Sequence, residues 1–180
     1  MRWRETAFLL PILLLLGACG WRPVYAERED STGVSDQMAA VKLEPISYTG
    51  QQGPNLFRLG QELHNALLNR INPDGKPGKP VYAMRVVLAE SELDMAIDPS
   101  GLSQRSSVTE TANYSLVSLA DGKTVMSGSS FGINSFGNVT NAYATVSGRN
   151  DARQRAITYV ADDIAARLAL YFRRPPSAEK

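Results

Sequence analysis

Residues 107–134 read SVTETANYSLVSLADGKTVMSGSSFGIN, and this stretch decides the fold. Asp121 and Gly122 stand between two segments in which apolar and polar residues alternate. Asp-Gly favours the two-residue type I′ turn that joins antiparallel strands. The stretch therefore predicts a β-hairpin in which Ala120 lies opposite Lys123.

The predicted register assigns each side chain to a face, because a one-residue slip would exchange the two faces. One face is mainly apolar and consists of Val108, Ala112, Tyr114, Leu116, Val125, Phe131 and Ile133. The other is polar but uncharged and consists of Ser107, Thr109, Thr111, Asn113, Ser115, Gly128, Ser130, Gly132 and Asn134. An uncharged face suits close approach of another protein; a solvated Ser/Thr face is the alternative. The candidate partner-binding residues are Thr109, Thr111, Asn113, Ser130 and Asn134.

Two segments on the N-terminal side of the hairpin also predict strands. Residues 41–46 form a short strand, and Pro45 favours an edge position because proline cannot donate a ladder hydrogen bond. Residues 81–88 are apolar on both faces apart from Arg85, and the alternation continues through residues 93–97. We expect a bend or bulge near Glu90 in this strand.

Two segments with apolar residues three and four positions apart predict helices. The first opens at residues 53–55 and runs to about Arg70, with a stripe of Leu56, Leu59, Leu63, Leu67 and Ile71. The second runs from about Asp151 to Phe172, and Asp151 with Gln154 is typical of a capping box. Its stripe consists of Ile157, Val160, Ile164, Leu168 and Tyr171.

The order of these elements is strand, helix, three strands, helix. Strands joined by a hairpin, with both helices stacked against them, form two layers around one core. We therefore expect an α+β two-layer sandwich in which a four-stranded mixed or antiparallel sheet carries two helices on one face. The other face of the sheet would remain free for a partner.

The N-terminus carries the pattern of a bacterial lipoprotein signal. Arg2 and Arg4 precede ten apolar residues, 7–16, and residues 16–19 read Leu-Gly-Ala-Cys. A helix of that length spans ~15 Å, about half of the ~30 Å hydrocarbon core of a bilayer, so it is too short to cross. We expect cleavage after Ala18 and attachment of diacylglycerol and an N-acyl chain such as palmitate to Cys19.

These patterns divide the chain into four parts. They are a signal peptide (1–18), a lipidated N-terminus with a flexible tether (19–40), a folded domain (41–173) and a disordered tail (174–180). Gly20 follows the lipidated cysteine, whereas lipoproteins retained at the inner membrane often have Asp there. We therefore expect the periplasmic face of the outer membrane as the location.

Composition and motifs argue against several kinds of site. The formal net charge is +1, and removal of the signal leaves a neutral chain, so we expect no nucleic-acid partner. A single histidine and a single cysteine do not suffice for a zinc site, and we expect no metal. No glycine-rich loop joins a strand to a helix start, which argues against nucleotide binding.

Residues 128–132, GSSFG, match the letters of the G-x-S-x-G motif with Ser130 as nucleophile. That motif needs a sharp turn from strand to helix, but these residues lie within a predicted strand. The sole histidine, His64, has no obvious acid partner. An esterase using Ser130 is therefore the weaker interpretation, and we expect a non-enzymatic binding or assembly factor.

Several segments resemble the alphaproteobacterial form of the lipopolysaccharide (LPS) assembly lipoproteins, the LptE family. The most specific is the run Cys19-Gly20-Trp21-Arg22-Pro23-Val24-Tyr25. The others are Gly53-Pro54-Asn55 with Arg58 and Leu63, Glu110-Thr111-Ala112-Asn113-Tyr114, and the final helix from Arg149-Asn150-Asp151 through Ala165, Leu168, Tyr171 and Phe172. Together they span nearly the whole chain after the signal.

This resemblance implies a non-enzymatic role without a cofactor other than the lipid on Cys19. Such lipoproteins share the α+β layout, plug the LptD-type β-barrel LPS translocon of the outer membrane, assist its folding and contact LPS. The resemblance implies that basic residues contact LPS. Our candidates are Arg149 and Arg153, one turn apart on the last helix, with Lys76 and Lys79 as weaker ones. Helix capping and solubility are their alternative roles.

An auxiliary lipoprotein of an ABC-type lipid transport system is the alternative function. Such proteins also combine a lipidated cysteine with a small α+β domain that ends in a long helix. The two interpretations differ in the partners expected to co-purify with the chain. The first predicts an outer-membrane barrel with LPS, and the second predicts inner-membrane transporter components.

Overall fold

The computed structural model describes residues 33–49, 54–73, 75–76, 78–97 and 103–173. In chain order the elements are α1 (Val34–Ala39), β1 (Val41–Leu43), β2 (Ser47–Tyr48), α2 (Pro54–Ile71), β3 (Tyr82–Ile97), β4 (Ser103–Ser118), β5 (Thr124–Gly137) and α3 (Ala142–Arg173). The predicted signal, Cys19, the tether up to residue 32 and the predicted tail lie outside the described residues.

A short helix, α1, precedes the first strand within the segment that the sequence predicts as a tether. Its Met38 side chain is buried in the main core. The N–H groups of Gly78 and Val81 donate to the carbonyls of Ala39 and Ala40 (3.0 and 2.9 Å). α1 therefore packs with the folded domain, although it precedes residue 41, the predicted start of that domain.

The strands form one mixed sheet in the order β1-β3-β4-β5, and β2 pairs with β3 beyond β1. β1 and β2 run parallel to β3, whereas β3 and β4, and β4 and β5, pair antiparallel. Pro45 separates β1 from β2, so the two form one interrupted edge. The predicted α+β fold is confirmed, with β2 as an additional short strand.

β3 runs without a break through the predicted bend. Glu90 pairs with Glu110, and Ser91 pairs with Thr109, in regular antiparallel register. The ladder becomes irregular only from Asp94 to Ile97. The predicted bend near Glu90 is therefore wrong: the polar residues there belong to ion pairs with α3, described below.

The β4–β5 hairpin is confirmed, but its turn is longer than predicted. The N–H of Ser118 donates to the carbonyl of Lys123, and the N–H of Gly122 donates to the carbonyl of Ser118, both at 2.9 Å. Gly122 has a φ of +70°, which glycine adopts without steric cost. Ala120 therefore lies within the loop and not opposite Lys123.

A bulge in β5 then shifts the register. Val117 pairs with Thr124, but the next pair is Leu116 with Met126, so Val125 is the extra residue. Beyond this bulge the observed register differs by one residue from the predicted one. Each following β5 side chain consequently lies on the face opposite to that predicted.

α2 and α3 pack against one face of the sheet, as predicted, and enclose the main core with it. The predicted stripe of α2 is confirmed, since Leu56, Leu59, Leu63, Leu67 and Ile71 are all buried. In α3 the buried members of the predicted stripe are Ile157, Val160, Ile164 and Leu168. A second, small cluster of Val108, Phe136 and Ala152 lies beneath the N-terminal half of α3.

α3 begins at Ala142, well before the predicted start at Asp151. The Asn141 side-chain oxygen accepts hydrogen bonds from the N–H groups of Tyr143 (3.0 Å) and Ala144 (3.3 Å). These bonds satisfy donors that the helix itself leaves unpaired. The predicted capping box is therefore wrong, and Asp151 forms a surface ion pair with Arg155.

Candidate functional site

The sheet face that the helices leave uncovered is the candidate partner-binding surface, here called the outer face. On β4 and β5 it carries mostly hydroxyl side chains, and from Ser107 to Ser115 and from Ser127 to Ser135 no charge; Arg105, near the start of β4, adds one charge at the end of this face. Charges occur nearer the opposite edge, where Arg85 on β3 pairs with Glu44 (2.9 Å). The outer-face residues are Ser107, Thr109, Thr111, Asn113 and Ser115 on β4, and Ser127, Ser129, Phe131, Ile133 and Ser135 on β5.

The structure separates the five candidate partner-binding residues. Thr109, Thr111 and Asn113 share the outer face, as the sequence predicts. Ser130 and Asn134 instead lie on the helix-facing side, opposite Ala112 and Val108, and Ser130 is buried. Their prediction as members of the same face is wrong because the bulge at Val125 moves them.

The same shift places two large apolar side chains on the outer face. Phe131 is 60% exposed and Ile133 is 59% exposed, although the predicted register assigns both to the core side. On β3, Leu93 is also exposed, and Met95 reaches across the sheet to Ser135, whose hydroxyl donates to its sulfur (3.7 Å). On the outer face, the hydroxyl side chains of β4 thus lie between exposed apolar side chains of β3 on one side and of β5 on the other.

α3 approaches β5 most closely at Gly132. A β-carbon at this position would lie 2.5 Å from the carbonyl oxygen of Ala156, closer than such atoms pack. Only glycine fits beneath the helix without a shift of the backbone. This contact favours the observed register, because one residue of slip would put Phe131 or Ile133 under the helix.

Two ion pairs connect the N-terminal half of α3 to β3. Arg153 binds Glu90 through Nε (2.7 Å) and Nη2 (2.5 Å), a two-bond geometry that adds strength and orientation. One turn earlier, Arg149 pairs with Glu92 (3.1 Å), and its guanidinium lies 5.2 Å from the ring centre of Phe136. These contacts orient α3 over the sheet.

Glu110 lies opposite Glu90 and is fully buried. Neither of its oxygens accepts a hydrogen bond. Burial, followed by the hydrogen bond and negative charge of Glu90, raises the pKa of Glu110 to about 9, although Arg153 opposes the shift. At neutral pH Glu110 is therefore a neutral acid, which can donate its proton to Glu90.

The candidate LPS-binding residues are held within the fold to different degrees. Arg153 is 7% exposed, and its guanidinium is bound to Glu90. Arg149 is about one-third exposed, so part of it remains accessible beside Glu92. Lys76 and Lys79 are exposed in the segment before β3. LPS binding by these four residues stays a prediction.

The surroundings of Ser130 do not resemble a nucleophile site. The residue lies in the middle of β5 with its hydroxyl buried, whereas a nucleophile elbow exposes its serine at a strand-to-helix turn. Within the described part of the chain, no group of three His, Cys, Asp or Glu residues is placed to hold a metal ion. Among the described helices, none is long and apolar enough to span a membrane.

Comparisons place the fold among lipoproteins. The family model described as lipopolysaccharide-assembly, LptE, matches residues 40–168. This match confirms the family predicted from the short sequence segments. No curated protein sequence matches the chain.

Three solved structures share the fold at low sequence identity. A Caulobacter crescentus CB15 protein described as a lipoprotein has a TM-score of 0.56 and 14% identity, covering 77% of this chain and 95% of its own. Rare lipoprotein B from Shewanella oneidensis has a TM-score of 0.52 and 12% identity (72% and 93%). A minor lipoprotein from Acinetobacter baumannii has a TM-score of 0.51 and 10% identity (73% and 92%). These likenesses concern the fold.

Proposed function

Because the chain belongs to the lipopolysaccharide-assembly family LptE, we propose that it works in LPS transport as an outer-membrane lipoprotein. In this proposal the lipid on Cys19 holds it at the periplasmic face of the outer membrane. The folded domain plugs an LptD-type β-barrel translocon, assists assembly of that barrel and contacts LPS on its way to the cell surface. The role is non-enzymatic and needs no cofactor.

The chemistry of the outer face is the observation that supports a contact with the barrel. Its β4 row of Thr109, Thr111 and Asn113 has no charge to desolvate, and short hydroxyl side chains allow another backbone to approach closely. Exposed Phe131 and Ile133 add apolar area beside this row. Contacts of this kind, an apolar area with satisfied polar groups around it, are typical of specific protein interfaces.

The first test is purification of the tagged, detergent-solubilised lipoprotein, with mass spectrometry of the proteins and lipids that accompany it in stoichiometric amounts. We expect a large outer-membrane β-barrel together with LPS. Inner-membrane transporter components in its place would support the auxiliary lipoprotein of an ABC-type lipid transporter. Normal surface LPS after deletion of the lipoprotein would contradict the proposed role.

The second test places a charge in the middle of the outer face. Thr111→Lys should lower recovery of the barrel by at least about tenfold, because a buried unpaired ammonium costs several kcal/mol. Gln61→Lys is the matched control, since Gln61 is exposed on α2 in the helical layer. Equal recovery of the barrel by Thr111→Lys and wild type would exclude the outer face as the contact, provided that both proteins unfold at similar temperatures.

A further inference from the structure

β5 is an uncovered edge of the sheet. Within the described residues its only strand neighbour is β4, so a row of its backbone N–H and carbonyl groups faces away from the sheet. The strand is 14 residues long, Thr124–Gly137. It contains no charged residue and no proline. Its bulge, at Val125, lies next to the turn and leaves most of the edge regular.

The opposite edge of the same sheet is protected where β1 and β2 pair with β3, up to Leu88, and beyond that point Glu90 and Glu92 place charges on β3. β1 and β2 have three and two residues, so neither offers a long row of free backbone groups. Lys42 and Glu44 add charges there, and Pro45 interrupts the edge. Short strands, charges and proline all oppose the addition of another strand. Among the described strands, β5 is therefore the long edge without charge or proline.

Exposed apolar side chains border the β5 edge on both faces. Phe131 and Ile133 lie on the outer face. On the helical side, Arg153 marks the flank of α3 that faces β3, and Ala156 lies over β5. In an α-helix, side chains three residues apart point about 60° away from each other, always with the same sense of rotation. From Arg153 through Ala156 to Tyr159 the direction therefore turns steadily from β3 past β5. Tyr159, 60% exposed, therefore lies on the flank beyond β5.

The helix above β5 restricts what can occupy this edge. In an antiparallel pairing of β5 with β5 of a second copy, both α3 helices would lie on the same side of the continuous sheet. Neighbouring strands are about 4.8 Å apart, whereas packed helices need about 8–10 Å. Since α3 lies directly over Gly132, the second helix would collide with the first. A strand without a helix on that side fits.

We propose that β5 extends its sheet by binding one extended, uncharged segment of the proposed barrel partner as an additional β-strand. Backbone hydrogen bonds would supply most of the recognition, as in other cases of strand addition. Apolar residues on one face of the segment would contact Phe131 and Ile133, and those on the other face would contact Tyr159. This proposal rests on the proposed function, which supplies the partner, and adds the backbone contact to it.

The test is hydrogen–deuterium exchange of the lipidated full chain, alone and in the purified barrel complex. Strand addition should slow the outward-facing amides of Thr124–Gly137 by at least about tenfold, while the amides of β4, paired on both sides, change little. Unchanged exchange in β5 within a recovered complex would overturn this proposal and leave the proposed function standing. Failure to recover any barrel complex would overturn both.

Two further outcomes complete the test. If β5 amides in the free protein instead exchange more slowly as the protein concentration rises, the edge would be assigned to a second copy. That result would overturn the proposal. Tyr159→Lys should reduce recovery of the barrel by about tenfold or more, whereas Leu68→Lys, an exposed apolar residue on α2, should not. A contact limited to the outer face leaves Tyr159 untouched, so full recovery with Tyr159→Lys would contradict strand addition.

Discussion

Gly132 and Glu110 face each other across β4 and β5, beneath the backbone of α3. Replacing Gly132 by Ala would place a methyl group against the Ala156 carbonyl. We expect a loss of about 1–3 kcal/mol in the free energy of unfolding, because overpacking forces the helix to shift. Urea denaturation measures the effect. Gly137→Ala is the control within the same strand, since a β-carbon there meets no atom within 4 Å. Equal losses in both variants would contradict this account.

Glu110 makes the stability of the fold dependent on pH. Between pH 4.5 and about 9 the folded chain keeps a proton on Glu110 that the unfolded chain has lost, so rising pH favours unfolding through this group. The slope is at most ~1.4 kcal/mol per pH unit. Glu110→Gln keeps the neutral shape and should gain stability relative to wild type from pH 5 to pH 9. Thermal denaturation of both proteins across this range checks it, and a constant difference would contradict the raised pKa.

At the scale of the elements, α3 begins at Ala142 because the Asn141 side chain caps its first turn. Asn141→Ala removes the acceptor for the N–H groups of Tyr143 and Ala144 and should cost about 1 kcal/mol. Asn141→Asp retains an acceptor and should restore stability. Hydrogen exchange would show faster amides in the first turns of α3 only. Equally fast exchange around Leu168 would mean that the cap supports the whole helix.

The elements also show where sequence patterns succeed. Both helices and the hairpin follow from local periodicity and turn composition, and the structure contains them. The register of β5 does not follow, because a bulge at Val125 and the contact of Gly132 with Ala156 decide it, and neither is local. The start of α3 was missed because the cap at Asn141 precedes a segment with little apolar periodicity.

The candidate site was predicted only in part. The β4 row of Thr109, Thr111 and Asn113 is on the outer face. The two β5 candidates, Ser130 and Asn134, depended on the register and lie on the opposite, helix-facing side. The ion pair between Arg153 and Glu90 joins residues distant in sequence, so neither residue alone indicates it. The sequence does indicate that Glu110 is unusual. It shares the predicted apolar face with Val108 and Ala112, where an unpaired charge would be costly.

For the whole molecule, the fold should need more chain than its strands and long helices indicate. A protein starting at Gly33 keeps α1, whereas one starting at Val41 loses buried Met38 and the backbone bonds to Gly78 and Val81. We expect the shorter protein to be less stable by at least about 2 kcal/mol, the typical effect of burying one such side chain. Denaturant titration compares the two. Met38→Ala in the longer protein separates the contribution of the methionine side chain from that of the backbone hydrogen bonds. Equal stability of all three proteins would contradict a stabilising role for α1.

The position of α3 over β5 also bears on polymerisation. A lipid anchor confines the proposed lipoprotein to a surface, where copies meet far more often than in free solution. A sheet with two open edges would grow under such crowding by adding copy to copy. Here one edge carries short strands and charges, and at the other the α3 helices would collide if β5 paired antiparallel with β5 of a second copy. Crowding on the surface would therefore not drive growth through antiparallel pairing of β5, and this edge would stay open to a partner strand.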